Sequence, residues 1–233
     1  MSQTYLITGA SRGLGLEFVK QLSAQGHTVI ATARQPGQSE ALSSLVDNKK
    51  VFTVPLDTTN KDSIKSAFEK IKTISDGVDV LINNSGIAGP REFDVLNVPG
   101  ETYTEVFNTN VIGTSDVTQA AIPLLRQKNT RKIINISSIV GSVQLNICGG
   151  GIPAYGVSKA AENYLTKAFS SALKDENFIV VAVHPGWVKT DMGGSSASIT
   201  TDVSIAGIIN EINKLTKEKN GTYFDYSGKT LPF

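Results

Sequence analysis

One cysteine, Cys148, stands in 233 residues, which excludes an internal disulfide and any cysteine-built zinc site. No metal centre is expected. Neither sign of charge dominates: 22 Lys+Arg against 21 Asp+Glu leave a net charge of +1, no field for nucleic acid or an anionic membrane. No segment approaches the ~20 apolar residues of a membrane helix. "MSQT" runs directly into "YLITGA" without the basic, apolar and small-residue regions of a secretory signal, so the expected compartment is cytoplasmic. Repeats, low-complexity tracts and linker-like stretches are also missing.

What remains is a chain of ordinary composition, 40% hydrophobic and 18% charged, that alternates short apolar runs with helical-length segments. Residues 4–8, 28–33, 50–54, 78–83, 131–137, 179–184 and 221–226 are rich in Val and Ile and mostly apolar on both faces, as buried parallel strands are. Between them lie helix candidates near 13–26, 38–47, 60–75, 100–128, 153–175 and 201–218, with Asn60 placed to cap the third and Pro153 to open the fifth. The alternation predicts one α/β domain over 1–233, a doubly wound, mostly parallel seven-stranded sheet with helices on both faces. Ligands in such folds bind at the C-terminal ends of the strands.

Strand one is followed by "TGASRGLG", with Gly9, Gly13 and Gly15 spaced G-x3-G-x-G. Glycine suits a sharp turn that a ligand approaches closely, and the helix N-terminus behind it offers free N–H groups to a pyrophosphate. The pattern resembles the cofactor loop of the short-chain dehydrogenase/reductase family, whose members build cofactor and substrate sites on one Rossmann-type domain. The resemblance assigns Ser11, Arg12 and Leu14, with the three glycines, to that loop. It likewise matches "NNSG" after strand four, which brings in Asn84, Ser85 and Gly86.

Strand two ends "ATAR". Ala33 stands where the family's NAD enzymes carry an acid, and Arg34 follows. A guanidinium grips a ribose 2′-phosphate that a carboxylate would repel, and Arg12 is a second cation where the family places one for NADP. The expected cofactor is therefore NADP(H). Asp57, after strand three, corresponds to the residue that accepts from the adenine amino group, and it can equally cap the helix that follows.

In "PAYGVSKAAENYLTKAF", Tyr155 and Lys159 lie one turn apart on one face of an otherwise ordinary amphipathic helix. Reduction of a carbonyl needs a proton for the oxygen as hydride reaches the carbon, and a phenol can supply it. An ammonium ~4 Å away attracts the resulting phenolate by about 4 kcal/mol at an effective dielectric of ~20. The resemblance completes a catalytic tetrad with Asn110 and Ser138: Ser138 would hydrogen-bond the substrate carbonyl, and Asn110 would hold a water linking Lys159 to solvent. Lys159 and Tyr155 would also reach the nicotinamide ribose. "HPGWVKTDM" resembles the family's Pro-Gly segment, which places Pro185 and Gly186 at the cofactor and Val188 and Thr190 against the nicotinamide amide, while His184 reads as structural.

The resemblance runs from Thr8 to the C-terminal "GTYFDYSGKTLPF", and "HPGWVKTDMGG" together with that aromatic tail resembles the family's Sniffer-type carbonyl reductases and C-factor group. That implies a small-molecule carbonyl substrate (aldehyde, ketone, diketone or quinone). Ser138 and Tyr155 are seventeen residues apart, longer than the family's usual spacing, and the excess falls in "QLNICGGGIP", which reads as a mobile loop. Ile139, Ile147, Cys148, Ile152, Trp187 and Met192 are the candidate substrate contacts, and the short "GGSSASIT" segment implies an open pocket. An alcohol dehydrogenase running oxidatively and an NADPH-sensing regulator are the other readings. The full tetrad favours an enzyme. The family pairs the helices near 100–128 and 153–175 between subunits, which implies a dimer or tetramer through Ala160, Ala161, Leu165 and Phe169; the same residues also read as core.

Overall fold

Apolar residues on both faces need cover on both, and the strands have it. Every residue of β1 (Thr4–Ile7) and β4 (Val80–Asn83) is buried, as are all but the last of β6 (Ile179–His184). A computed structural model describes residues 2–147 and 151–233. Its sheet has seven strands in the order β3-β2-β1-β4-β5-β6-β7, with β2 (Thr28–Ala33), β3 (Val51–Pro55), β5 (Lys132–Ile136) and β7 (Tyr223–Asp225) completing it. The described pairings β1–β2, β1–β4, β2–β3 and β6–β7 are parallel. The chain steps outward from β1 to β3, returns to β4 beside β1, and then proceeds the other way. This doubly wound order bears out the expected Rossmann-type class, and its reversal at β1 and β4 is where such sheets bind ligands.

Two compact units divide the chain. The first comprises 1–85 and 116–134, the second 86–115 and 135–233, with the boundary inside β5. In the first, α1 (Gly13–Ala24) buries Phe18, Val19 and Leu22. The helix α3 (Lys61–Ile74) starts as expected, Asn60 Oδ1 accepting from Ser63 N at 2.9 Å. The helix expected over 38–47 shrinks to α2 (Glu40–Ser43). There the Asp47 carboxylate accepts from the backbone N–H groups of Lys49, Lys50 and Val51, a local alternative that competes with helix.

The long helix expected over 100–128 is α4 (Gly100–Phe107) and α5 (Gly113–Leu125), joined by a π-turn at Asn108–Ile112. Such bulges widen the helix by a residue and re-aim a side chain, here that of Asn110. In the second unit, α6 (Pro153–Ala172) opens on Pro153 as expected and follows Ile152 in the left-handed region, φ 50°. Its buried face is not the apolar one expected of an ordinary amphipathic helix. Ser158, Lys159, Glu162, Asn163, Thr166 and Ser170 lie on it. Partners on β5 and just beyond explain this: Asn135 Nδ2 donates to Thr166 Oγ1 at 2.8 Å, and Ser137 Oγ to Asn163 Oδ1 at 2.6 Å. Buried polar groups are tolerated when paired in this way. The unit closes with α7 (Thr201–Lys214), which buries Ile205, Ile208, Ile209 and Ile212.

Candidate active site

In the first unit the glycine loop leaves β1 and enters α1. Gly9 takes φ 66° and Gly13 φ 54°, a region that costs most side chains dearly. A Cβ on Gly15 would stand 2.2 Å from the Gly9 carbonyl oxygen and 2.6 Å from Asn84 Nδ2, so only glycine fits. Asn84, after β4, fastens the loop from the other side of the sheet reversal. Its Nδ2 donates to the carbonyls of Thr8 and Gly9 at 2.9 and 3.1 Å. The backbone N–H groups of Asn84 and Ser85 both donate to Thr8 Oγ1 at 3.0 Å. Arg12 is the residue before α1, and Leu14 is half-buried in its first turn.

Beside this loop opens a cavity of about 590 Å³ lined by Ser11, Arg12, Ala33, Arg34, Gln38 and Ser39. Two guanidinium-bearing residues and no carboxylate line it, the lining an anionic phosphate requires. Ser39 Oγ donates to the Ser11 carbonyl at 2.7 Å, holding the cavity wall to the loop. Asp57 lies near enough to Arg34 to feel its charge. Its carboxyl is held below the ordinary range by the Thr59 hydroxyl and backbone N–H, with Arg34 contributing less. The Thr59 hydroxyl approaches at 2.7 Å and its N–H at 2.9 Å, so Asp57 closes a turn ahead of α3, and the cap of that helix is Asn60 instead.

The tetrad candidates all fall in the second unit. Asn110, wholly buried, is brought to the π-turn's inner side. Its Oδ1 accepts from Ile87 N, while Nδ2 donates to Ile87 O and Ser158 Oγ, each at 2.9 Å. Both N–H donors are therefore used, and the side chain acts as a clamp. Gly86 leaves room for it: a Cβ there would lie 3.3 Å from Asn110 Oδ1 and 3.8 Å from Lys159 Nζ.

Ser138 follows β5 and starts a tight turn, Ile139–Gly141. Its oxygen is 3.5 Å from Val140 N, a long contact, and its proton has no acceptor among the described residues. That turn docks on α6 because Gly141 has no side chain: a Cβ would come within 2.6 Å of the Lys159 carbonyl carbon. Gly141 was not among the expected site residues, although a glycine three places after the serine is a visible signal.

Tyr155 is half-buried, and its hydroxyl makes no hydrogen bond to the described residues. Lys159 is buried, its Nζ 5.7 Å from the centre of the Tyr155 ring. The ammonium donates to Ile136 O at 2.7 Å and to Glu162 Oε2 at 2.5 Å. Burial pulls Lys159 down, but the carboxylate of Glu162 and then Tyr155 more than reverse this, and the net direction is upward. Glu162 is the charged residue that sequence reasoning missed.

After β6, Gly186 takes φ 85°, and a Cβ would strike Ile199 Cδ1 at 2.5 Å. The Pro185 carbonyl accepts from Ser204 Oγ at 2.6 Å, and Thr190 Oγ1 accepts from Gly193 N at 3.0 Å. Val188 is buried and bridges Ile199. His184 is held down to about 4 by burial, with Asp225 opposing; it stays neutral near pH 7, as its structural reading requires. Of the substrate candidates, Ile147, Trp187 and Met192 are exposed, with Trp187 Nε1 donating to Gly193 O at 2.8 Å and Arg91 donating to the Met192 carbonyl. Ile139 is half-buried, packing on one side against buried Ala182, Tyr223 and Leu231. Ile152 is half-buried. Cys148, Gly149 and Gly150, within the loop expected to be mobile, lie outside the described residues. Among the described residues no cluster of three or more metal-ligating side chains occurs, and no helix is long and apolar enough to cross a membrane.

A family model described as short chain dehydrogenase matches residues 3–199. The chain is 36% identical to an oxidoreductase of Schizosaccharomyces pombe, covering 100% of this chain and 98% of that one. The structure superposes on the carbonyl reductase Sniffer of D. melanogaster with a TM-score of 0.94, at 34% identity and 100% coverage of both chains. An NADPH-bound carbonyl reductase from chicken fatty liver gives a TM-score of 0.93 at 34% identity, covering 100% of this chain and 94% of that one. The chain belongs to the short-chain dehydrogenase family and is an oxidoreductase.

Proposed function

We propose that residues 1–233 act as one catalytic domain that reduces aldehydes, ketones, diketones or quinones to alcohols at the expense of NADPH, with Tyr155 as general acid. The observation that carries this reading is a phenol with an unspent hydroxyl one turn from a buried, fully charged Lys159. The glycine cradle, which a Cβ at Gly15 would fill, and the cavity holding Arg12 and Arg34 fit a dinucleotide with a 2′-phosphate. The two arginines would hold that phosphate, Gly9 to Gly15 the pyrophosphate, and Asp57 with Asn84 to Gly86 the adenosine side. Pro185, Gly186, Val188 and Thr190 would orient the nicotinamide amide, which decides the ring face presented.

When bound, the cofactor supplies the hydride that turns the carbonyl carbon into an alcohol carbon. Ser138 donates a hydrogen bond to the substrate oxygen and stabilises the charge gathering there. Tyr155 passes its proton to that same oxygen. Lys159 steadies the phenolate left behind until solvent returns a proton. Val143, Leu145, Ile147, Trp187 and Met192, exposed beyond the ends of the neighbouring strands β5 and β6, suit an apolar carbonyl compound. A cytoplasmic homo-oligomer belongs to the same reading; Ala160, Ala161, Leu165 and Phe169 are half-buried in the chain, which leaves each of them surface for a partner.

The test is absorbance at the NADPH band with purified protein, offering an aromatic aldehyde, a 1,2-diketone and a quinone with NADPH or NADH. Consumption that favours NADPH supports the reading. Tight NADPH binding with no turnover on any of them would overturn it.

A further inference from the structure

Glu162 has no part in the chemistry above, yet it is 1% exposed and touches the lysine on which that chemistry depends. Its Oε2 lies 2.5 Å from Lys159 Nζ, with the two side chains 2% and 5% exposed. Stability does not account for its presence. A buried ion pair loses to desolvation much of what it gains, and an apolar pair of similar volume is often as stable. Nor is Glu162 the only group holding the ammonium, because the Ile136 carbonyl already accepts from it at 2.7 Å.

Spacing along α6 suggests what it does. Tyr155 is one turn before Lys159 and Glu162 one turn after, so the lysine sits between phenol and carboxylate on one helix face. A lone ammonium would favour the phenolate form of Tyr155 strongly. An ammonium compensated by a carboxylate presents a dipole instead, and its pull on a phenolate is weaker. We propose that Glu162 is a positioning residue for Lys159 that, by offsetting the ammonium's charge, keeps Tyr155 in the protonated form carbonyl reduction consumes. This rests on the carbonyl-reductase reading. It assigns the chain a bias toward the reductive direction, written into a residue that contacts neither substrate nor cofactor.

The other titratable groups facing the pair do not duplicate the role. Tyr155 faces it from α6 itself. Tyr223 faces it from β7, and burial above all, with the carboxylates of Glu162 and Asp225 adding to it, pushes that phenol far up and keeps it neutral. Asp225 acts on Tyr223 and on His184, and His184 is uncharged near pH 7.

The test reads phenolate formation directly, without turnover. The ultraviolet absorbance of phenolate is titrated against pH in wild type and in Tyr155→Phe, and the difference isolates Tyr155. The same pair is then measured in the Glu162→Gln and Glu162→Asp backgrounds. Glu162→Gln keeps the shape and loses the charge, and the Tyr155 signal should appear about one pH unit lower or more. Glu162→Asp keeps the charge but draws it back, and should shift the signal in the same direction by less; it also decides the matter if Glu162→Gln does not fold. In the reductase assay, the alkaline fall in kcat/KM should move by the same interval with the KM for NADPH little changed. A Tyr155 signal that stays at its wild-type position in the folded variants would overturn the proposal. Wild-type protein that binds NADPH and turns over no carbonyl would sink the reductase reading instead, while the absorbance titration still decides whether Glu162 controls Tyr155.

Discussion

Asn110 Nδ2 donates to Ser158 Oγ at 2.9 Å, tying the π-turn to the residue before Lys159. Ser158 Oγ in turn donates to the Tyr155 carbonyl at 2.8 Å. One buried amide thus connects a helix defect to the backbone that carries both the acid and its lysine. The same amide closes a ring with Ile87 N–H and C=O.

Removal of that amide should cost more than removal of the hydroxyl it contacts. Asn110→Ala leaves the N–H and C=O of half-buried Ile87 without their partner, and should lower stability by about 2 kcal/mol. Ser158→Ala should cost about 1 kcal/mol. Urea unfolding of the two variants checks this. Equal and small losses would mean that the clamp does not hold the turn.

Arg34 should decide between the cofactors. Charge-assisted hydrogen bonds contribute about 1.5–3 kcal/mol, so Arg34→Ala should weaken NADPH binding by roughly 10- to 100-fold. NADH, which has no 2′-phosphate, should bind within about threefold of its wild-type affinity. Fluorescence titration with each nucleotide measures the ratio; parallel losses for both would remove Arg34 from the phosphate site.

His184 should make stability depend on pH. Its folded value of about 4 lies below the ordinary 6.5, so between these limits the unfolded chain binds a proton that the folded chain resists. Stability is therefore fully present above pH 6.5 and falls as pH drops toward 4, by up to about 3 kcal/mol. Denaturant titrations at pH 7 and 4.5 should show a smaller difference in His184→Gln than in wild type. An unchanged difference would contradict the burial of a neutral imidazole.

The strands and the glycine loop were legible because each is local. Val- and Ile-rich runs bounded by turn residues, and a glycine at each point where a Cβ would collide, need no knowledge of distant partners. The buried face of α6 was not legible for the opposite reason. Glu162, Asn163 and Thr166 read as a solvated face until Lys159, Ser137 and Asn135 are brought against them, and periodicity registers a polar stripe without registering what covers it. The π-turn is hidden likewise, since the bonds that favour it run from Asn110 to Ile87, twenty-three residues away.

Central to the account is a proton delivered by Tyr155, and the Tyr155→Phe variant tests it most directly. The ring and its packing are kept and only the hydroxyl is lost, so NADPH affinity should stay within about threefold of wild type. Carbonyl reduction should fall by roughly 10²- to 10⁴-fold, the usual contribution of a positioned general acid. A variant that binds NADPH and still reduces the same carbonyls at near the wild-type rate would contradict the account.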